Sequence, residues 1–220
     1  SLITNELLPD LPEELKQGLF RNPGVYQTWI RLSNAPPKVK SDKPASGRGL
    51  AIKVLDIPGE VIEPDPIGVP TQNFLLTTSP ILSAWNISLY AKAIKDNLLS
   101  QTYFSGGAFK FGPALFVKFV LTPNDPNLGY TLDQAKNENF LKSQLIKDCE
   151  TKDHAFTLNV QIHKSDALQP LENTSIAWEG ALIPVATLNI PKQSFDIPER
   201  IKMGEELEFS PWMGLVEHAP

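Results

Sequence analysis

Cysteine is almost missing from this chain of 220 residues, where Cys149 stands alone. No intrachain disulfide can form, and a lone thiol in an acidic chain points to a reducing, cytoplasmic setting. Asp148 and Glu150 flank that thiol. Their negative charge disfavours the thiolate, so Cys149 is not read as a nucleophile. Long apolar runs are missing as well. None approaches the roughly 18 residues of a membrane-spanning helix, and Ser1-Leu2-Ile3-Thr4 lacks the basic region and apolar core of a leader. Basic charge is in deficit, with a net charge of −5 and a pI of about 5.3, which argues against nucleic acid as a partner. Histidine is scarce: His154, His163 and His218 all lie in the last third. The first two fall on opposite faces of one alternating strand and read as solvated strand-end side chains, so no metal site is expected. Gly47-Arg48-Gly49 and Gly106-Gly107 lack the spacing of a phosphate-cradling loop.

What is present is ordinary globular material. The length suits one domain over residues 1–220, and a hydrophobic fraction of 41% supports a substantial core. Twenty prolines against 13 glycines favour strands joined by stiff connections over a helical bundle. Apolar patterning predicts strands at Tyr26 to Leu32, Leu50 to Leu55, Phe74 to Thr78, Ala114 to Leu121, Phe156 to Ile162 and Ile183 to Ile190. In the second of these, Leu50, Ile52 and Val54 share one face while Ala51, Lys53 and Leu55 share the other. Helices are expected in three places. Asp10 with Glu13 forms a capping-box pattern for a helix ending at Gly18, Ile81, Trp85, Leu89 and Ile94 recur at helical spacing, and Thr131 with Gln134 opens a helix running to about Lys147. Strands in clusters with helices inserted make an α+β fold, an antiparallel sheet or barrel with helical additions.

Two segments carry an arginine where a strand would bury an apolar residue. These are Trp29-Ile30-Arg31-Leu32-Ser33-Asn34 and, after a polar loop containing Asp42, Gly47-Arg48-Gly49-Leu50-Ala51-Ile52-Lys53-Val54. They are similar to the V-R-F-S and R-G-(F/M/L)-A-(V/I)-K segments of the catalase superfamily. The likeness continues in family order through Leu11-Pro12-Glu13-Glu14-Leu15, Thr71-Gln72-Asn73-Phe74 to Thr78-Ser79-Pro80-Ile81, Val160-Gln161-Ile162, Ala177-Trp178 with Ile183-Pro184-Val185-Ala186, and Leu207-Glu208-Phe209-Ser210-Pro211-Trp212. The resemblance implies a catalase-type antiparallel β-barrel with flanking helices and haem as cofactor. It further implies a peroxide substrate, with homo-oligomerisation as an added expectation.

Carried over by position, Arg31 matches the arginine that neutralises a haem propionate, a role suited to a guanidinium that forks onto a carboxylate. Ser33 matches the serine that supports the distal histidine, and Phe209 an aromatic position near the haem. Thr78 stands where catalases usually have the distal asparagine. A hydroxyl lacks the paired donors of an amide, which leans the substrate toward an organic or fatty-acid hydroperoxide, as in the allene oxide synthase branch. Arg31, Ser33 and Thr78 are expected to converge on one cavity, with Phe209 at its rim. Arg48 is read as a structural turn residue.

The groups that would perform peroxide chemistry are not matched. The family's distal histidine precedes the first matching strand and its proximal tyrosine follows the F-(N/D)-P segment, whereas Tyr26, Tyr90, Tyr103 and Tyr130 all come earlier. Haem iron needs an axial donor, and peroxide cleavage needs a distal acid–base group. The chain therefore reads as part of a longer haem-dependent protein, inactive alone. The alternative is a non-enzymatic domain of the same fold that binds an apolar ligand or a protein partner.

Overall fold

Strands whose alternate side chains face the core build the wall of this protein, and in β3, β4, β7 and β8 much of the outward face is covered as well. The computed structural model describes residues 3–34, 42, 47–81, 97–131 and 137–220. Its strands are β1 (Ile3–Leu7), β2 (Val25–Asn34), β3 (Arg48–Leu55), β4 (Thr71–Thr77), β5 (Tyr103–Ser105), β6 (Phe109–Phe111), β7 (Leu115–Pro123), β8 (His154–Ile162) and β9 (Ile183–Ile190). The order β5-β4-β3-β2-β1-β9-β8-β7 returns to β5 through a β5–β7 pairing, closing an antiparallel barrel of eight strands, and β6 pairs along the same β7. Closure through β5 is short, and the remaining edge of β4 is met by the C-terminal segment, where the Asn73 N–H donates to the Met213 carbonyl at 3.0 Å.

Each predicted strand is present and unchanged at Ile183–Ile190; the other five are extended by two or three residues, while Thr78 and Ala114 fall just outside β4 and β7. The inward rows interlock by register: Ile30 opposes Ile52 and then Phe74, while Leu32 opposes Leu50 and then Leu76. They meet Val117, Phe119 and Leu121 of β7 and Phe156, Leu158 and Val160 of β8 in one core. Phe119 stands at its centre, with ring centroids 4.8 Å from Phe74 and 5.5 Å from Phe109. Side chains therefore fill the lumen, as in other small barrels, and it is a packed core rather than a ligand chamber.

One end of the barrel is plugged by the two chain ends together. The helix expected from Asp10 to Gly18 is instead two 3-10 turns, Glu13–Leu15 and Gly18–Phe20, and Asp10 caps neither of them. Pro12 precedes the first turn and Gly18 takes φ +50, which interrupts a continuous helix. Leu15, Leu19 and Phe20 drop into the barrel end, so burial overrides the local capping pattern. His218 enters the same end and is fully buried among Phe20, Phe111 and Phe119, its Nε2 accepting from the Leu19 N–H at 3.1 Å.

The far end is covered by α1 (Phe140–Thr151). The helix expected to start at Thr131 begins later. Thr131 instead donates from its backbone N–H to Gln144 Oε1, and residues 132–136 lie outside the described residues. The cap of α1 is Asp42, whose Oδ2 accepts from Leu141 N at 2.9 Å and Lys142 N at 3.4 Å. A second helix, α2 (Pro198–Glu206), follows β9 with proline in its first turn, where a missing N–H costs nothing. The helix expected after Ile81 falls on residues 82–96, outside the described residues. Among the described residues no helix is long and apolar enough to cross a membrane.

His154 is buried rather than solvated, held by Nε2 at 3.1 Å from the Asp148 carbonyl. The Cys149 thiol is also buried, and burial, with Asp148 and Glu150 adding to it, pushes it up to about 11, which makes it inert at neutral pH.

Candidate functional site

The wall formed by β2, β3 and β4 carries polar residues on its outer face. Register sets Trp29 beside Lys53 and Asn73, Arg31 beside Ala51 and Leu75, and Ser33 beside Gly49 and Thr77. After α2 the chain crosses this face as an extended segment. Arg31 Nη1 donates to the Leu207 carbonyl at 3.1 Å, and its guanidinium carbon lies 4.5 Å from the centroid of Phe209. Lys53 Nζ is 5.3 Å from the same ring. Asn73 holds the segment further along, its Nδ2 donating to the Met213 carbonyl at 3.0 Å.

Lys53 is fully buried beneath this segment and forms an ion pair with Asp65. Burial pushes the Asp65 carboxyl up, but bonds from Lys53, the Ile67 N–H and Thr71, with the Lys53 charge, outweigh it and hold the group below its ordinary value. Arg31, by contrast, remains exposed at the edge of the segment, as does Ser33. Gly49 is demanded by close approach, since a Cβ there would lie 2.7 Å from Ser33 Oγ.

The structure brings Arg31 and Phe209 into contact and sets Ser33 on the same face. Thr78 lies one residue past the end of β4, in a bend, and is buried. Its Oγ1 accepts from the Arg48 N–H at 3.2 Å and its N–H donates to the Arg48 carbonyl at 3.0 Å. The hydrogen bonds of Thr78 thus go to the Arg48 backbone, and none joins it to Arg31 or Ser33. Arg48 itself is buried at the start of β3, where burial lowers its pKa against the opposing charge of Asp42. Sequence reasoning missed Asp65 and Asn73 as partners of this face. An Asn in mid-strand, beside the apolar run Phe74 to Leu76, was the available signal for the second.

No protein-family profile and no curated relative matches the chain. Solved structures do. A fungal catalase superposes with a TM-score of 0.70 at 11% identity over 99% of this chain and 53% of its own. A bacterial catalase gives 0.70 at 14% identity over 96% and 50%, and catalase A from Saccharomyces cerevisiae 0.69 at 11% over 99% and 55%. The chain has a catalase-like fold. It spans about half the length of those catalases, and fold alone does not carry an activity.

Haem, the group this fold points to, asks for cations at its carboxylates and an axial donor at its iron. The exposed Arg31 beside Phe209 suits a carboxylate edge. The iron is not provided for among the described residues. Tyr103 is fully buried and donates to the Leu98 carbonyl at 2.8 Å, Tyr26 packs against the barrel core and Tyr130 against Phe140. His154 and His218 are buried and bonded in place, and His163 pairs with Asp166. Tyr90 lies outside the described residues. The described residues thus fit one edge of the group and not its metal.

Proposed function

We propose that this chain is the barrel portion of a haem-dependent, catalase-related protein that processes hydrogen peroxide or an organic hydroperoxide. Arg31 holds one carboxylate edge of the haem on the outer face of β2–β3–β4, Phe209 backs it, and Ser33 lies on the same exposed strip. The iron's axial donor and the distal acid–base group come from outside the described residues. The observation that carries this reading is Arg31, stacked at 4.5 Å on Phe209 yet exposed, on the outer wall of a catalase-like barrel. An exposed guanidinium with one edge bonded to Leu207 keeps donors for a further acceptor. Thr78 has no place at that edge, so the choice between hydrogen peroxide and a bulkier hydroperoxide rests on the missing distal group. The reading of a domain that binds an apolar ligand inside the barrel is disfavoured by the phenylalanine-filled lumen.

The test is an absorption spectrum and a peroxide assay on the longest natural form of the protein and on residues 1–220. The longer form is expected to show a tyrosinate-type haem spectrum and peroxide turnover, and the 220-residue chain neither. A haem-free, inactive longer form would overturn the proposal.

A further inference from the structure

Lys118 lies at the middle of β7, and alternation turns it away from the core side that carries Val117, Phe119 and Leu121. A lysine so placed ordinarily reaches water. Here the chain after β8 folds back over it and it is only 5% exposed. Gln161, directly opposite on β8, pins that cover by donating from Nε2 to the carbonyls of Trp178 at 3.0 Å and Gly180 at 3.3 Å. Trp178 Nε1 donates to the Pro170 carbonyl at 3.2 Å, which fixes the indole with its face 5.0 Å from Lys118 Nζ. That amine has no hydrogen-bond partner among the described residues. Of the covering segment's other titratable groups, His163 packs on the far side against Trp178 and bonds Asp166, and Glu179 is exposed. Beside the amine is a pocket of about 360 Å3 whose apolar lining includes Phe104, Val120, Trp178 and Leu182.

An ammonium in such a site lacks a counter-charge, and the indole face offsets only part of the cost of burial. Burial accordingly lowers the pKa of the amine. Two kinds of ligand answer an orphaned amine: an anion, or an electrophile that reacts with the free base. An anion wants several donors, and the neighbouring side-chain donors are already used. Gln161 and Trp178 donate as described, and the Ser105 hydroxyl donates to Gly107 O at 2.9 Å. One donor satisfies a carboxylate poorly. A desolvated amine against apolar walls is instead the arrangement that activates lysine toward carbonyl compounds.

We propose that Lys118 captures a small aldehyde with an apolar or aromatic body as an imine in this pocket. The nitrogen lone pair forms a C–N bond to the carbonyl carbon while the C=O π pair moves to oxygen. A proton passes from nitrogen to that oxygen, giving a carbinolamine, and loss of water leaves the C=N bond. No oxidant or reductant takes part, and the proposal is independent of haem.

The test is incubation of the 220-residue chain at neutral pH with limiting propanal, reductive trapping with cyanoborohydride, and peptide mapping by mass spectrometry. Lys118 is expected to be alkylated at least about tenfold faster than the exposed Lys142 and Lys202. That preference should disappear in denaturant, and Lys118→Met should remove the fast phase. Labelling of Lys118 no faster than of Lys202, or an unmodified Lys118, overturns the proposal. The map of the wild-type chain decides the matter even where the variant fails to fold.

Discussion

Lys53 and Lys118 occupy matching places with opposite solutions. Each projects outward from the barrel wall, each is buried by a returning segment, and each faces an aromatic ring, Phe209 at 5.3 Å and Trp178 at 5.0 Å. Lys53 is given a carboxylate, Asp65, with Thr71 and the Ile67 N–H completing its bonds. Lys118 is given none among the described residues, only a pocket. The difference separates structure from chemistry. A compensated lysine clamps the segment that carries Phe209, while burial lowers the pKa of the uncompensated one and underlies the aldehyde capture proposed for it.

The sharpest way to break this comparison is to remove the counter-charge. Asp65→Asn leaves Lys53 buried without its carboxylate and is expected to lower unfolding free energy by about 3–5 kcal/mol in urea titrations. A loss below about 1 kcal/mol would mean that Lys53 is as self-sufficient as Lys118.

His218 extends the comparison into the lumen, where a titratable group is buried with one ring nitrogen bonded and the other without a partner among the described residues. Burial lowers its pKa from 6.5 to about 4, against smaller opposing contributions from the nearby Lys110 and Glu217 backbone. The unfolded chain then binds this proton more readily than the folded one. Stability is full above pH 6.5 and falls as pH drops toward 4, by about 3 kcal/mol in all. Measured at pH 7 and pH 4, the wild type should lose about that much more than His218→Gln. Equal losses would place the protonated ring comfortably in the core.

Much of this was legible in the sequence, and the failures have physical causes. The inward rows of β3, β7 and β8 followed from two-residue alternation, because one face of each strand meets the core. Lys53 was correctly set opposite Ile52 and Val54, but its partner Asp65 lies in a proline-rich excursion whose path alternation does not specify. Asp42 was noticed only as part of a loop. Its role as the cap of α1 arises 99 residues away, beyond any local pattern. The short strands β5 and β6 carry three residues each, too few to show a period. Thr78 falls one residue past the end of β4, where alternation no longer specifies a face, so its bonds to Arg48 were not legible in the pattern. The family likeness supplied Arg31 and Phe209 together, and the structure shows the contact between them.

Smaller effects sharpen the same contrast. Lys118→Met is expected to change stability by less than about 1 kcal/mol, or to raise it, since an apolar side chain replaces an unpaired amine. A cost matching that of Asp65→Asn would show that Lys118 has a partner. Arg31→Ala should cost still less, about 0.5 kcal/mol, because an exposed guanidinium over a ring contributes little. Urea midpoints of the two variants decide both points.

The central proposal is that this barrel supplies a haem carboxylate edge through Arg31 and, among the described residues, no ligand for the iron. Haem titration of residues 1–220, followed by absorption, tests it most directly. The account predicts weak uptake, weakened further in Arg31→Ala, with no tyrosinate-type spectrum and negligible peroxide turnover. Tight one-to-one uptake with a tyrosinate spectrum and sustained turnover by these 220 residues would contradict it.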